Sequence, residues 1–150
     1  MFTNTKVSCI MVSFDTGGGQ RFTHFKKSFL AYANQIYDNK ELVIIVSGDS
    51  EHRKKVDKYV RQCQRQDVNL VFSDLKPLGA LRNLALDRAS GDVVCQWGDD
   101  DVSHPNRISE QLRAMQHAGV HATVLRNYVH LFRIEKKRRL MRLGQVTTTT

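Results

Sequence analysis

The 150-residue sequence has only two prolines, one tryptophan and three cysteines. No apolar run approaches the ~18 residues that a membrane-spanning helix needs. The amino terminus, MFTNTKVSCIMVS, has no basic segment leading into a long apolar stretch, so no secretory signal is expected. Cys9, Cys63 and Cys95 are odd in number and far apart, which argues against a disulfide frame or a zinc site. Each falls at an apolar position, and all three are expected as buried small hydrophobes in a reducing compartment, the cytoplasm or its membrane face. A dinucleotide fingerprint and a P-loop lysine are also missing. The run Asp15-Thr16-Gly17-Gly18-Gly19 holds glycines but no G-x-G-x-x-G, and reads as a flexible connection. No repeat and no linker interrupt the chain, and its length suits one domain.

Acids are in the minority, 15 against 23 Lys and Arg, for a net charge of +8. That excess suits an anionic partner. The order of elements is regular. Strands are expected over 6–13, 41–46, 69–72 and 93–97, each a short run rich in apolar residues. Helices are expected over 22–36, 51–64, 80–89 and 106–117. Phe22, Phe25, Phe29, Leu30, Ala33 and Ile36 mark the inward face of the first. Val56, Tyr59, Val60 and Cys63 mark that of the second. A further strand over 122–132 and a hairpin partner over 134–143 close the chain. Alternating strands and helices imply an α/β fold, with a mostly parallel sheet and helices on both faces.

One stretch organises the rest: Gly91 to Pro105, GDVVCQWGDDDVSHP. A buried strand runs into three adjacent acids, Asp99, Asp100 and Asp101. Adjacent carboxylates repel one another, and a cation relieves that repulsion. Hard divalent cations such as Mg²⁺ or Mn²⁺ take oxygen ligands and share them with substrate phosphates. A polar loop that only caps the next helix would use the same residues. Two more polar loops, 14–20 and 47–50, fall at the same edge of the sheet, where open α/β sheets bind ligands. That convergence favours a single functional cleft. Among the histidines only His104 is expected near the acids, as a loop residue in the turn before Pro105.

The chain resembles the family-2 glycosyltransferases with the GT-A fold, over roughly 6–132. A pattern V-S-x-I-x-x-T-Y-N is met by Val7-Ser8-Cys9-Ile10-Met11-Val12-Ser13-Phe14-Asp15. The pattern Q-x-Y-x-N-x-E-L is met by Gln35, Tyr37, Asn39, Glu41 and Leu42. I-I-V-x-D-G-S aligns with Ile44-Ile45-Val46-Ser47-Gly48-Asp49-Ser50. G-x-x-x-R-N, with A-x-G behind it, is met by Gly79, Arg82, Asn83, Ala89 and Gly91. W-D-D-D-D-x-x-x-P is met by Trp97, Asp99, Asp100, Asp101 and Pro105. The order and spacing of the blocks are far more specific than any one of them.

The resemblance implies a nucleotide-sugar-binding portion of a glycosyltransferase domain over 1–150. It implies transfer from a nucleotide-diphosphate sugar, commonly a UDP-sugar, to a saccharide or lipid-linked hydroxyl, with inversion. Ser13, Phe14, Asp15, Asp49 and Asp99 would contact the nucleotide, Arg82 could assist the phosphates, and Asp99, Asp100 and Asp101 would hold Mn²⁺ or Mg²⁺. Two departures stand out. Gly98 replaces the first acid of the metal motif. Ser47 and Gly48 replace the paired acids after the second strand, with an acid displaced to Asp49.

An inverting enzyme also needs a general base. After Asp101 the chain offers only Glu110 and Glu135, neither of which matches the family's base, so a fragment ending before its acceptor half is expected. Such a fragment would self-associate through unpaired edges. A competing, non-enzymatic reading rests on Arg126, Arg133, Lys136, Lys137, Arg138, Arg139 and Arg142. This basic stretch could bind nucleic acid or another anion, or touch anionic lipid. No stacking aromatics interleave it, so nucleic acid is the weaker partner, and a hairpin turn with solvated charges uses the same residues.

Overall fold

The computed structural model describes residues 4–125 except 16 and 18, together with the backbone of 129–134 and 137–142. Contacts divide the chain into two units, the first running to Ile108 and the second beginning at Ser109. The first unit contains β1 (Val7–Asp15), α1 (Arg21–Ala33), β2 (Lys40–Gly48), α2 (Ser50–Cys63), β3 (Val68–Phe72), α3 (Leu78–Arg88) and β4 (Val93–Gln96). Its strands form one parallel sheet in the order β3-β2-β1-β4. The order reverses between β1 and β4. In open α/β sheets that switch point, at the carboxyl ends of the strands, is where ligands bind.

The two faces of the sheet are covered differently. Ile10, Val43 and Ile45 pack on Leu81 and Ala85 of α3, with Val12, Val71 and Leu84 around them. The opposite face carries Cys9, Met11, Leu42, Ile44 and Val46, all fully buried. α1 and α2 cover it and are clamped to each other by rings. Tyr59 meets Phe22, Phe25 and Phe29 edge-on, with centroids 6.0, 6.3 and 5.5 Å away. Each fully buried large apolar side chain contributes about 1.5–3 kcal/mol.

Several expectations shift. The inward face of α1 is Phe25, Ser28, Phe29, Ala31 and Tyr32, whereas Leu30 and Ile36 are 51% and 61% exposed. The helix ends at Ala33, so Ile36 lies beyond it. β4 is shorter than expected and half-buried, and among the described residues it pairs with β1 alone; Val94 is exposed. Trp97 continues the ladder by donating its backbone N–H to Ile10. The cysteines are free thiols as expected, but only Cys9 is buried; Cys63 and Cys95 are half-buried.

α4 (Arg107–Ala118) crosses the boundary between the units. In the second unit β5 (Val129–Ile134) and β6 (Lys137–Arg142) form an antiparallel hairpin, with Arg133 opposite Arg138. Of the strand expected over 122–132, residues 129–132 are strand and 122–125 are not; 126–128 lie outside the described residues. Arg126, Glu135 and Lys136 lie outside the described residues, as do the side chains of Arg133, Lys137, Arg138, Arg139 and Arg142. Among the described residues no helix is long and apolar enough to cross a membrane.

Gly48 joins the tips of β1 and β2. It sits at φ +102°, and a Cβ there would come within 2.1 Å of the Asp15 carbonyl oxygen. That close approach lets Asp49 N–H donate to the same oxygen at 3.1 Å. Gly48→Ala is expected to cost about 1–3 kcal/mol or more, since strain and a backbone clash act together. Urea denaturation of the variant checks this; an unchanged midpoint would show that the tips can separate freely.

Candidate functional site

The site is built from the ends of β1 and β2, the first turns of α1 and α2, and the loop after β4. That loop is pinned on several sides. Trp97 is buried, donates its indole N–H to the Ser28 carbonyl at 3.2 Å and stacks edge-on against Tyr32. Ser28 Oγ donates to the Gly98 carbonyl at 2.6 Å. Gln35 Nε2 donates to the His104 carbonyl at 2.7 Å, and its Oε1 accepts from Ile108 N–H at 3.2 Å. Arg107 lies over the Trp97 ring and donates to the Gln96 carbonyl. His104 is exposed and accepts from Asn106 N–H through Nδ1, a turn residue as expected.

Asp99 is the innermost acid, only 2% exposed. Arg21, the first residue of α1, grips it with a fork: Nε to Oδ2 at 2.8 Å and Nη2 to Oδ1 at 2.5 Å. Nη1 of the same guanidinium reaches Asp100 at 3.3 Å. Burial pushes the Asp99 carboxyl up, and the hydrogen bonds of Arg21 and Ser13 offset only part of that. Burial also opposes the charge on Arg21, but Asp99, Asp100 and Asp15 outweigh it and hold the guanidinium above its ordinary value. The two shifts do not mirror each other, because Asp99 is far more deeply buried than its partner. The fork, with both oxygens accepting, identifies the pair as ionised.

A relay continues inward from Asp99. Ser13, fully buried near the end of β1, bonds both Asp99 and Nε2 of His52, the latter at 2.9 Å. An ionised carboxylate only accepts, so the hydroxyl proton goes to Asp99 and His52 is the donor at Nε2. A protonated ring would also donate at Nδ1, which finds no acceptor among the described residues, so the neutral ring is favoured. Burial holds it below the usual histidine range against the pull of Asp15, Asp49 and Asp99, and Arg21 adds to the depression. Its Nδ1 is buried and makes no hydrogen bond among the described residues.

Asp49 caps α2, accepting from His52 N–H at 2.7 Å. Asp15 accepts from Gly17 N–H at 2.9 Å. Beside these acids lies a small, open cleft lined by Asp15, Gly17, Gly19, Phe22, Asp49, Glu51, His52 and Lys55. The structure thus brings Ser13, Asp15, Asp49 and Asp99 together on one side of the sheet edge. It sets Phe14 and Arg82 apart. Phe14 alternates onto the α3 face of β1, and Arg82 lies on the exposed side of α3.

Sequence reasoning missed Arg21 and His52. Both left a trace. A lone basic residue opens α1, where the helix dipole favours an acid, so it needs another partner. His52 extends the inward face of Val56 by one turn.

Among the described residues no three His, Cys, Asp or Glu side chains converge on a cation position. Asp99, 2% exposed, is already engaged by Arg21. Asp100 and Asp101 remain, with Asp101 folded against Gly98: a Cβ at Gly98 would meet its Oδ2 at 2.5 Å. Two carboxylates fit a divalent cation that takes its other ligands from phosphate and water.

The family model for glycosyl transferase family 2 matches residues 20–148. The chain belongs to this family. It is 27% identical to an uncharacterized glycosyltransferase of Methanocaldococcus jannaschii over 96 residues, 62% of this chain and 32% of that protein. Its fold matches a Pyrobaculum calidifontis mannosyltransferase solved with GDP-Man and Mn²⁺, at TM-score 0.65 and 14% identity, covering 75% of this chain and 32% of that one. It also matches S. aureus TarS solved with UDP-GlcNAc, at TM-score 0.58 and 19% identity, covering 75% and 31%. The chain therefore spans about a third of the length of the relatives it matches, and its fold is GT-A.

The depressed histidine has a pH consequence. Unfolded, His52 takes up a proton near pH 6.5; folded, it resists until lower pH. The stability it contributes is present above pH ~6.5 and is lost as pH falls through the window below. His52→Gln, which can still donate to Ser13, should flatten the decline in melting temperature between pH 7.5 and 5.5. A variant that declines as steeply as the wild type would show that His52 is not the responsible group.

Proposed function

We propose that this chain is the donor-binding portion of a glycosyltransferase. It takes a nucleoside-diphosphate sugar, with UDP-sugars the first to test. The sugar passes, with inversion, to a hydroxyl of a saccharide or lipid-linked acceptor. The observation that carries this reading is the convergence of Asp15, Asp49 and Asp99 beside a cleft at the β1/β4 switch point, in a chain of this family. Similar folds hold GDP-Man in one case and UDP-GlcNAc in another.

The residues divide the labour by chemistry. Asp15 and Asp49 line the cleft and offer acceptor oxygens to the N–H and O–H donors of a base and ribose. Phe22 gives the same cleft an apolar wall. Asp100 and Asp101, both exposed in the loop after β4, would hold the divalent cation. When bound, that cation stabilises charge on the departing diphosphate as a Lewis acid. Ser13 stays out of contact with the donor; its hydroxyl is consumed in holding Asp99 and His52. Arg82 and Phe14 belong to the opposite face and take no part in this arrangement.

The acceptor side has less on the page. Of the acids after Asp101, Glu110 lies on the exposed side of α4 and is paired with Arg113, and Glu135 falls outside the described residues. A general base typically supplies ~10²–10⁴-fold. The 150-residue chain is therefore proposed to bind donor and at most to hydrolyse it slowly.

Calorimetric titration with UDP, GDP, ADP and CDP, with Mn²⁺ and with chelator, tests the reading. One of them should bind, and more tightly with Mn²⁺. Asp100→Asn with Asp101→Asn should erase the metal-dependent part and leave the melting temperature nearly unchanged. Gly98→Ala should weaken it too, by pushing Asp101 aside. Equal affinity with and without Mn²⁺ in the wild type would remove the metal from the proposal; no binding of any diphosphate would remove the proposal.

A further inference from the structure

We propose that Arg21 is a diphosphate-binding residue, held in position for that task by Asp99. The inference rests on the donor-binding reading above. It concerns a residue outside every motif block by which the sequence resembles its family.

The argument starts with counting donors. A guanidinium has five N–H groups. Arg21 spends one at Nε and one at Nη2 on Asp99, and one at Nη1 on Asp100. Among the described residues, one N–H therefore remains on each terminal nitrogen. Asp99 occupies the Nε–Nη2 edge, so the remaining pair is directed away from the buried carboxylate. The side chain is 38% exposed, whereas Asp99 is 2% exposed, so solvent reaches the guanidinium while its partner stays buried. Two adjacent N–H donors on a fixed planar cation match the spacing of phosphate oxygens.

Charge points the same way. Asp99, Asp100 and Asp101 put three negative charges at the loop where the diphosphate would arrive. A single divalent cation leaves that loop net negative before any phosphate comes. Arg21 supplies the missing positive charge, and it is fixed there whether or not metal is bound. Its hold is unusually rigid, because Asp99 is itself tied through Ser13 to His52. A cation pre-positioned by a buried partner loses little freedom on binding. A purely structural ion pair would need the Nε–Nη2 edge alone and would not require that the guanidinium also reach Asp100 at the exposed surface.

The test separates this role from simple support of the fold. Full-length wild type, Arg21→Gln and Arg21→Lys are titrated in chelator with the nucleoside diphosphate that binds best and with the matching nucleoside, which lacks phosphates. Arg21→Gln should lose about tenfold or more in diphosphate affinity, while its nucleoside affinity changes by less than twofold. Arg21→Lys keeps the charge but not the fork, and should lose several-fold, again only for the diphosphate. If Arg21→Gln fails to fold, the Lys variant, checked by circular dichroism, decides by the same selectivity. Equal losses for diphosphate and nucleoside would reduce Arg21 to a support of the cleft. No loss for either would overturn the proposal and leave the donor-binding reading standing. No diphosphate binding by the wild type, with Mn²⁺ or in chelator, would remove both.

Discussion

A carboxylate cannot be buried alone. Asp99, at 2% exposure, obliges the fold to bring a cation to it, and the cation is Arg21. Removing one partner of such a pair costs about 3–5 kcal/mol, because a charge is left stranded. This obligation ties separate parts of the chain into one edge. Arg21 fixes the start of α1 against the loop after β4. Ser13 fixes the end of β1 to the same carboxylate, and His52 extends the tie to α2. Each polar group in the relay has a defined donor or acceptor role, so none can rotate without orphaning another. The cleft beside it inherits that rigidity.

Much of this architecture is legible in the amino-acid order. Apolar runs alternating with helical periodicity give the parallel sheet, and the acids at the strand ends give the edge on which to look for a site. Asp15, Asp49 and Asp99 could be brought together on paper because strand direction alone places their ends on one side. Which face a residue takes is less legible. Phe14 lies between Ser13 and Asp15 and points the other way, because strand side chains alternate; a motif quoted as a block hides that. The face of α1 was misjudged for a related reason. Ser28 and Tyr32 are polar in composition but buried in fact, because their hydroxyls donate to the Gly98 carbonyl and to Asp67. Leu30 and Ile36 look apolar and stay outside. Arg21 and His52 were harder still, since their importance lies in who meets them, and only the fold supplies the partner.

The residues that carry the family resemblance also sort by physical role. Several of them brace the frame and stand away from the cleft. Gln35 holds the loop after β4 by its last turn. Tyr37 donates to the Thr5 carbonyl and Asn39 to the Asn4 carbonyl, anchoring the approach to β1. Glu41 gathers Lys6, Ser8 and Ser90, which draws its carboxyl down to about 2 against the effect of burial. These contacts set where β1 and β4 begin, hence where they end. A strand tip is placed as much by its buried start as by anything near the ligand.

The departures from the family pattern are explained by the same close geometry. At position 48 the chain needs φ +102° and has the Asp15 backbone 2.1 Å from where a Cβ would be. No acid fits there in this arrangement of β1 and β2. The next residue is the first that can carry one toward the cleft, and Asp49 does so while also capping α2. At position 98 the missing side chain leaves room for Asp101 to fold back. An acid at 98 would compete for that space and add a further charge beside Asp99. In both places glycine keeps the acids one residue downstream, and the distribution of charge at this edge follows from what the backbone leaves room for.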